Sequence, residues 1–347
     1  MPLVHKARIT QQRTELLRLA DRLEPRIKKR VIDALNKIRS KQKITELAKA
    51  IQDGDMAAIM RLSGILEIPS AVDDIYEEVQ NAYISGGKVA ASTARTSDGA
   101  VIAARFNGVN SRGAEFILRN KARLVTDVVR GSRDAIAEAL ARGVLERKTP
   151  IVAARTIRDL IGLDKRRAAS LLRYRDALEN SDFGIASARD IGASAARTIN
   201  AASGGRVNLT QSRINDLVEG YRDRLIASRA GTIAATETFS ALNQASQEAF
   251  TQVMEDRDIP ADNIRRFWVS TNDSRTRESH AAIPVINDEG VGMDEPFQLP
   301  DGGTIMFPHD PSAPPEETVN CRCTVVYRMV NIPEAALPPI KSGRSIL

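Results

Sequence analysis

From Arg26 onward the apolar residues Ile27, Val31, Leu35 and Ile38 recur at spacings of four and three, the period of a helix with one buried stripe. Ile44, Leu47, Ala48 and Ile51 repeat the pattern, and Asp53-Gly54-Asp55 closes it, with Asp55 placed to cap a short helix through Leu62. Pro69 is expected to break the chain, so residues 1–68 read as a basic helical arm. A helix over 70–83 follows. The Ser, Thr, Ala and Gly content from Ser85-Gly86-Gly87 through Gly113 gives only weak signals. Periodicity returns with Leu118, Ala122, Val125, Val129, Ser132, Ile136 and Ala139, a long buried helix ending near Gly143. Thr149-Pro150 starts another helix, Gly162 ends it, and Asp164 caps the next one, which runs to Asn180. After a linker at Ser203-Gly204-Gly205, Thr210 caps a helical run that continues until Pro260.

At Ile264 helical periodicity gives way to short apolar runs separated by Gly, Pro, Asn and Asp. Residues 266–270, 284–286, 297–299, 304–307 and 324–328 have the length and side-chain content of strands. The expected fold is mainly α: an arm over 1–68, a helical body over 69–263, a small α+β module with a short antiparallel sheet over 264–328, and an extended Pro-rich tail over 329–347.

Composition agrees with this division. Aromatic residues make up 4% of the 347, which favours helices packed through small side chains. Residues 1–50 hold 14 Lys or Arg against 5 Asp or Glu, a local charge of +9 where the whole chain carries +6. Arg142 to Asp176 adds 10 basic against 4 acidic residues. Such runs attract phosphate or an acidic protein surface, or simply form solvated helix faces. The N-terminus lacks an apolar signal core and no stretch suits a membrane span, so a soluble chain made in a reducing cytoplasm is expected.

Both cysteines and two of the three histidines fall between His280 and Cys323. The segment runs from Asp273-Ser274-Arg275-Thr276-Arg277-Glu278-Ser279-His280 to Asn320-Cys321-Arg322-Cys323. Thiolate and imidazole are preferred zinc ligands, so His280, Cys321 and Cys323 could hold zinc with His309 or Asp273 as a fourth ligand. The alternative is metal-free. Cys then acts as a small hydrophobe, and Arg275, Arg277 and Arg322 pair with Asp273 and with Glu237, a carboxylate on the apolar stripe of Ile233 and Ala241. Asn320 is placed to serve a turn. No P-loop, H-E-x-x-H or G-x-S-x-G motif occurs, and the chain is expected not to be an enzyme; a zinc-dependent hydrolase is the third reading.

The D-x-R-T-R-x-x-H and N-C-R-C motifs resemble those of the phage Mu F-like head morphogenesis family. The likeness extends over roughly 115–328, through Leu172-Arg173-Tyr174-Arg175-Asp176-Ala177-Leu178-Glu179, the T-E-T run Thr236-Glu237-Thr238, and Ala241-Leu242-Asn243. The family often has a Gly where His309 stands. The resemblance implies a low-copy minor head protein, made in the host cytoplasm and located in the virion head. Portal protein and major capsid or scaffold protein are its implied partners, with a role in assembly, DNA packaging or ejection. The runner-up is an internal virion protein that binds phage DNA through its basic helices. No membrane partner is expected.

Overall fold

The computed structural model describes residues 3–187, 190–310 and 312–340; Met1-Pro2 of the expected arm and 341–347 of the expected tail lie outside them. Long helices dominate. In chain order they are α1 (Leu3–Ser40), α2 (Ile44–Gln52), α3 (Met56–Leu62), α4 (Ile68–Thr93), α5 (Ser111–Leu145), α6 (Pro150–Leu160), α7 (Lys165–Glu179), α8 (Phe183–Ser187), α9 (Ala193–Ser203) and α10 (Gln211–Arg257). Then come β1 (Ile264–Val269), α11 (Glu278–Ile286), β2 (Phe297–Gln298), β3 (Thr304–Ile305), α12 (Pro315–Thr318) and β4 (Thr324–Met329). A mainly helical chain with a small α+β C-terminal part is therefore correct. Asp55 and Asp164 accept from the backbone N–H of Ala58 and Arg167, both at 2.9 Å, as expected of N-caps.

Three local expectations fail for identifiable reasons. Pro69 opens α4 instead of breaking the chain, because a first-turn proline lacks only an N–H that would be unpaired anyway. Gly86 and Gly87 lie inside α4, where a Cβ would come within 2.8 Å of Leu242 Cδ2 and 2.2 Å of Phe106 Cε1 respectively. They permit close packing and mark no turn. The expected strand at 284–286 is the last turn of α11. Pro284 cannot donate to the carbonyl of His280 four residues back, and the Ser270 hydroxyl donates to that oxygen in its place.

The chain forms two compact units from interleaved segments, a division that cuts across the expected arm and body. One unit comprises Met1–Lys28, Tyr76–Arg119 and Gly231–Leu347; the other comprises Lys29–Ile75 and Asn120–Ala230. The boundaries fall inside α1, α4, α5 and α10. A helix keeps the same apolar period whichever unit it serves, so periodicity could not reveal them. The stripe of α1 is also already covered, with Leu16, Leu23, Ile27, Val31, Leu35 and Ile38 all buried.

In the purely helical unit, the end of α6 is closed by arginines of α10. Arg222 donates to the carbonyls of Asp159 at 3.1 Å and Ile161 at 3.4 Å, and Arg229 donates to that of Gly162 at 2.6 Å. These are carbonyls that a helix C-terminus leaves unpaired. Within the second basic run, Arg142 pairs with Asp176 at 2.7 Å and Arg175 with Asp159 at 3.0 Å, so part of that charge is internal.

In the other unit, β1 and β4 pair antiparallel from Ile264↔Met329 to Val269↔Thr324, and β2 pairs with β3. Two two-stranded ribbons thus stand where one sheet was expected. Their apolar faces share a core with Ala94, Ile102, Phe250 and Val253. The expected extended tail carries a short 3-10 turn at Glu334–Ala336, and residues 330–340 are docked: the Ser97 N–H donates to Ile332 O at 2.9 Å, and Arg257 donates to Pro338 O at 2.7 Å.

Candidate functional site

The two end motifs meet. α11 begins at Glu278, which places His280 in its first turn facing inward, while Cys321 and Cys323 lie on the approach to β4. All three side chains are buried, and their ligating atoms lie within 4.8 Å of one another. His280 Nδ1 is 3.4 Å from Cys321 Sγ and 3.5 Å from Cys323 Sγ, and the Cys323 N–H donates to Cys321 Sγ at 3.4 Å. On the far side of the ring, Nε2 lies 2.7 Å from Glu317 Oε2, an ion-pair distance that misses hydrogen-bond alignment. Ser279 Oγ donates to the same carboxylate oxygen at 3.0 Å. Trp268 packs edge-on against the imidazole, 5.1 Å between centroids.

The two thiols are driven apart in acidity. A hydrogen bond from Cys321, opposed by burial and reinforced by His280, pulls Cys323 down to about 5. Cys321 is pushed up by that same bond and by its own desolvation.

His309 does not join the group. It is buried in a left-handed backbone conformation (φ 69°), with Nε2 2.9 Å from the Cys321 carbonyl oxygen. Asp273 also stays apart, because its carboxylate closes its own turn. It accepts from Arg275 N at 3.0 Å, Thr276 Oγ1 at 3.2 Å and Arg275 Nη2 at 3.1 Å. The Arg275 N–H above all holds its pKa below the ordinary carboxylate value. A cavity of about 20 Å³ is lined by this turn and the trio together: Asp273, Arg275, Thr276, Arg277, His280 and the Asn320 to Cys323 segment.

The arginines do not converge on Glu237. Arg277 donates to Val319 O at 2.6 Å, while Arg322 reaches Glu24 at 3.2 Å and lies over the Phe239 ring at 5.4 Å. Glu237 is buried and accepts from Tyr76 Oη at 2.8 Å. The T-E-T run instead reaches the N-C-R-C segment through Thr236, whose Oγ1 accepts from the Asn320 N–H at 2.9 Å. Asn320 itself adopts φ 58°, which Asn tolerates better than most residues.

Glu317, Asn243 and Arg266 are additions from the structure. Asn243 donates to Cys323 O and accepts from Val325 N–H, both at 3.1 Å, so this buried amide clamps β4 onto α10. Arg266 is fully buried and donates to the carbonyls of Gly292 at 2.8 Å, Met306 at 2.7 Å and Glu295. Asn243 ends a segment that already resembled the family; neither Glu317 nor Arg266 stands in a recognisable spacing.

Residues 196–326 match the family model described as Phage Mu protein F like protein. This segment, well under half of the chain, is thus similar to the Phage Mu F-like family, whose motifs the sequence resembles. The chain is also 33% identical over 99 residues to "Uncharacterized protein YqbB" of Bacillus subtilis (strain 168). That alignment spans 28% of this chain and 30% of YqbB. No solved structure matches it. Among the described residues, no helix is long and apolar enough to cross a membrane.

Proposed function

We propose that this chain is a minor head protein of a tailed bacteriophage, a low-copy, non-enzymatic component that associates with portal or inner capsid during assembly. The observation that carries the reading is the match over 196–326, whose C-terminal half contains both end motifs brought together around one buried cluster. The architecture supports a structural role, since Asp273, Arg277 and Asn320 of the motifs are engaged in internal bonds.

An apolar stripe that is buried within the fold is not offered to a partner, so α1 presents its charge alone, with Arg22, Arg26 and Lys37 exposed. We place contact with an acidic face of a head protein first and contact with packaged DNA second. Purified heads carrying a triple Arg22→Glu, Arg26→Glu, Lys37→Glu chain should contain much less of it than wild-type heads, while the isolated variant stays folded. Normal incorporation of the variant, together with steeply salt-dependent duplex binding by the wild-type chain, would favour the DNA-binding reading. Absence of the wild-type chain from heads would overturn both.

A further inference from the structure

We propose that His280, Cys321 and Cys323 form a three-ligand site for one zinc ion, with water completing the tetrahedron from the adjoining cavity. The separations carry the argument. In a tetrahedron with Zn–S of ~2.3 Å and Zn–N of ~2.0 Å, nitrogen and sulfur ligands stand about 3.5 Å apart. The observed Nδ1 to Sγ distances are 3.4 and 3.5 Å, so one nitrogen sits almost equally far from two sulfurs. A single N–H···S hydrogen bond would point at one sulfur; near-equal spacing to both suits a shared centre.

Three further features fit. Zinc-bound imidazole commonly has a carboxylate at its other nitrogen, fixing ring orientation and raising ligand basicity; here Glu317 Oε2 lies 2.7 Å from Nε2. Two thiolates neutralise a divalent cation, so the buried complex carries no net charge, and the desolvation cost of an unpaired ion is avoided. The cavity of about 20 Å³ exceeds the roughly 10–15 Å³ that one water needs. Three protein ligands plus water is a composition also used in catalysis, but here all three ligand side chains are buried and tie two chain segments together. The site is therefore a staple joining the start of α11 to β4, and its ligands release their thiol protons to solvent when the metal enters. This inference is independent of the head-protein role.

The test uses the full chain, purified under reducing conditions without chelator. Elemental analysis should find one zinc per chain. Replacement by Co²⁺ should give the intense visible bands of a tetrahedral site and a near-ultraviolet thiolate-to-cobalt band. Cys323→Ser should lose at least half the intensity of the thiolate band. Should that variant fail to fold, Glu317→Gln decides: it keeps all three ligands and should bind zinc about 10- to 100-fold more weakly in competition with a chromophoric chelator. His309→Gln should retain the metal. Substoichiometric zinc with no cobalt spectrum, a Cys321–Cys323 disulfide in its place, or unchanged zinc affinity in Glu317→Gln would overturn the proposal.

Discussion

The helical unit of residues 29–75 and 120–230 and the β-containing end of the other unit both bury arginines against backbone carbonyls, but they gather those carbonyls differently. At the end of α6 the acceptors are Asp159, Ile161 and Gly162, neighbours in sequence left open by one helix terminus. Around Arg266 they are Gly292, Glu295 and Met306, brought together from loops across the module. The helical unit repairs a local defect in regular structure. The module has strands as short as two residues, and single side chains hold its loops in place. Perturbing one such side chain should therefore disturb a larger region in the module than at α6.

The largest contrast is expected from paired substitutions. Arg266→Leu leaves three carbonyls without their donor and should lower stability by about 3 to 5 kcal/mol, since each stranded buried acceptor costs about 1 to 3 kcal/mol. Arg229→Leu removes the bond to Gly162 and should cost about 1.5 to 3 kcal/mol. Urea unfolding followed by tryptophan emission measures the first directly, because the single tryptophan, Trp268, lies in the module; circular dichroism follows the second. Equal costs would erase the distinction between the two regions.

Smaller effects sharpen it. Asn243→Ala unpairs the carbonyl of Cys323 and the N–H of Val325 and should cost about 2 to 4 kcal/mol, since a buried unsatisfied group costs 1 to 3. Asn320 tests backbone strain alone. Asn320→Gly should be close to neutral, whereas Asn320→Ala should lose about 1 kcal/mol through the left-handed conformation. Matching melting temperatures for the Gly and Ala variants would contradict this.

The same contrast governs how much was legible in the sequence. The stripe from Ile27 to Ile38 and the caps at Asp55 and Asp164 are local in character, and the structure has them where periodicity and capping placed them. Unit membership was not legible, because α1, α4, α5 and α10 cross boundaries without a change of period. Residues 284–286 read as a strand because Pro284 argues against a helix unless another donor serves the His280 carbonyl, and Ser270 is a long-range partner no spacing reveals. In the site, the concentration of His280, Cys321 and Cys323 was visible as composition. Their mutual geometry, and the places of Glu317 and Asn243 beside them, depend on how α10, α11, α12 and β4 pack. Glu237 was legible as a buried carboxylate, but its bond to Tyr76 connects residues far apart in the chain.

Hydrogen exchange of the full-length chain, comparing wild type with Cys323→Ser at matched temperature, tests most directly whether the module depends on its converging side chains. The expected result is a selective loss of protection in 264–329 and in the stretch of α10 near Asn243, with α6 and α7 exchanging as in wild type. Unchanged protection in 264–329, or an equal loss in α6 and α7, would contradict the account.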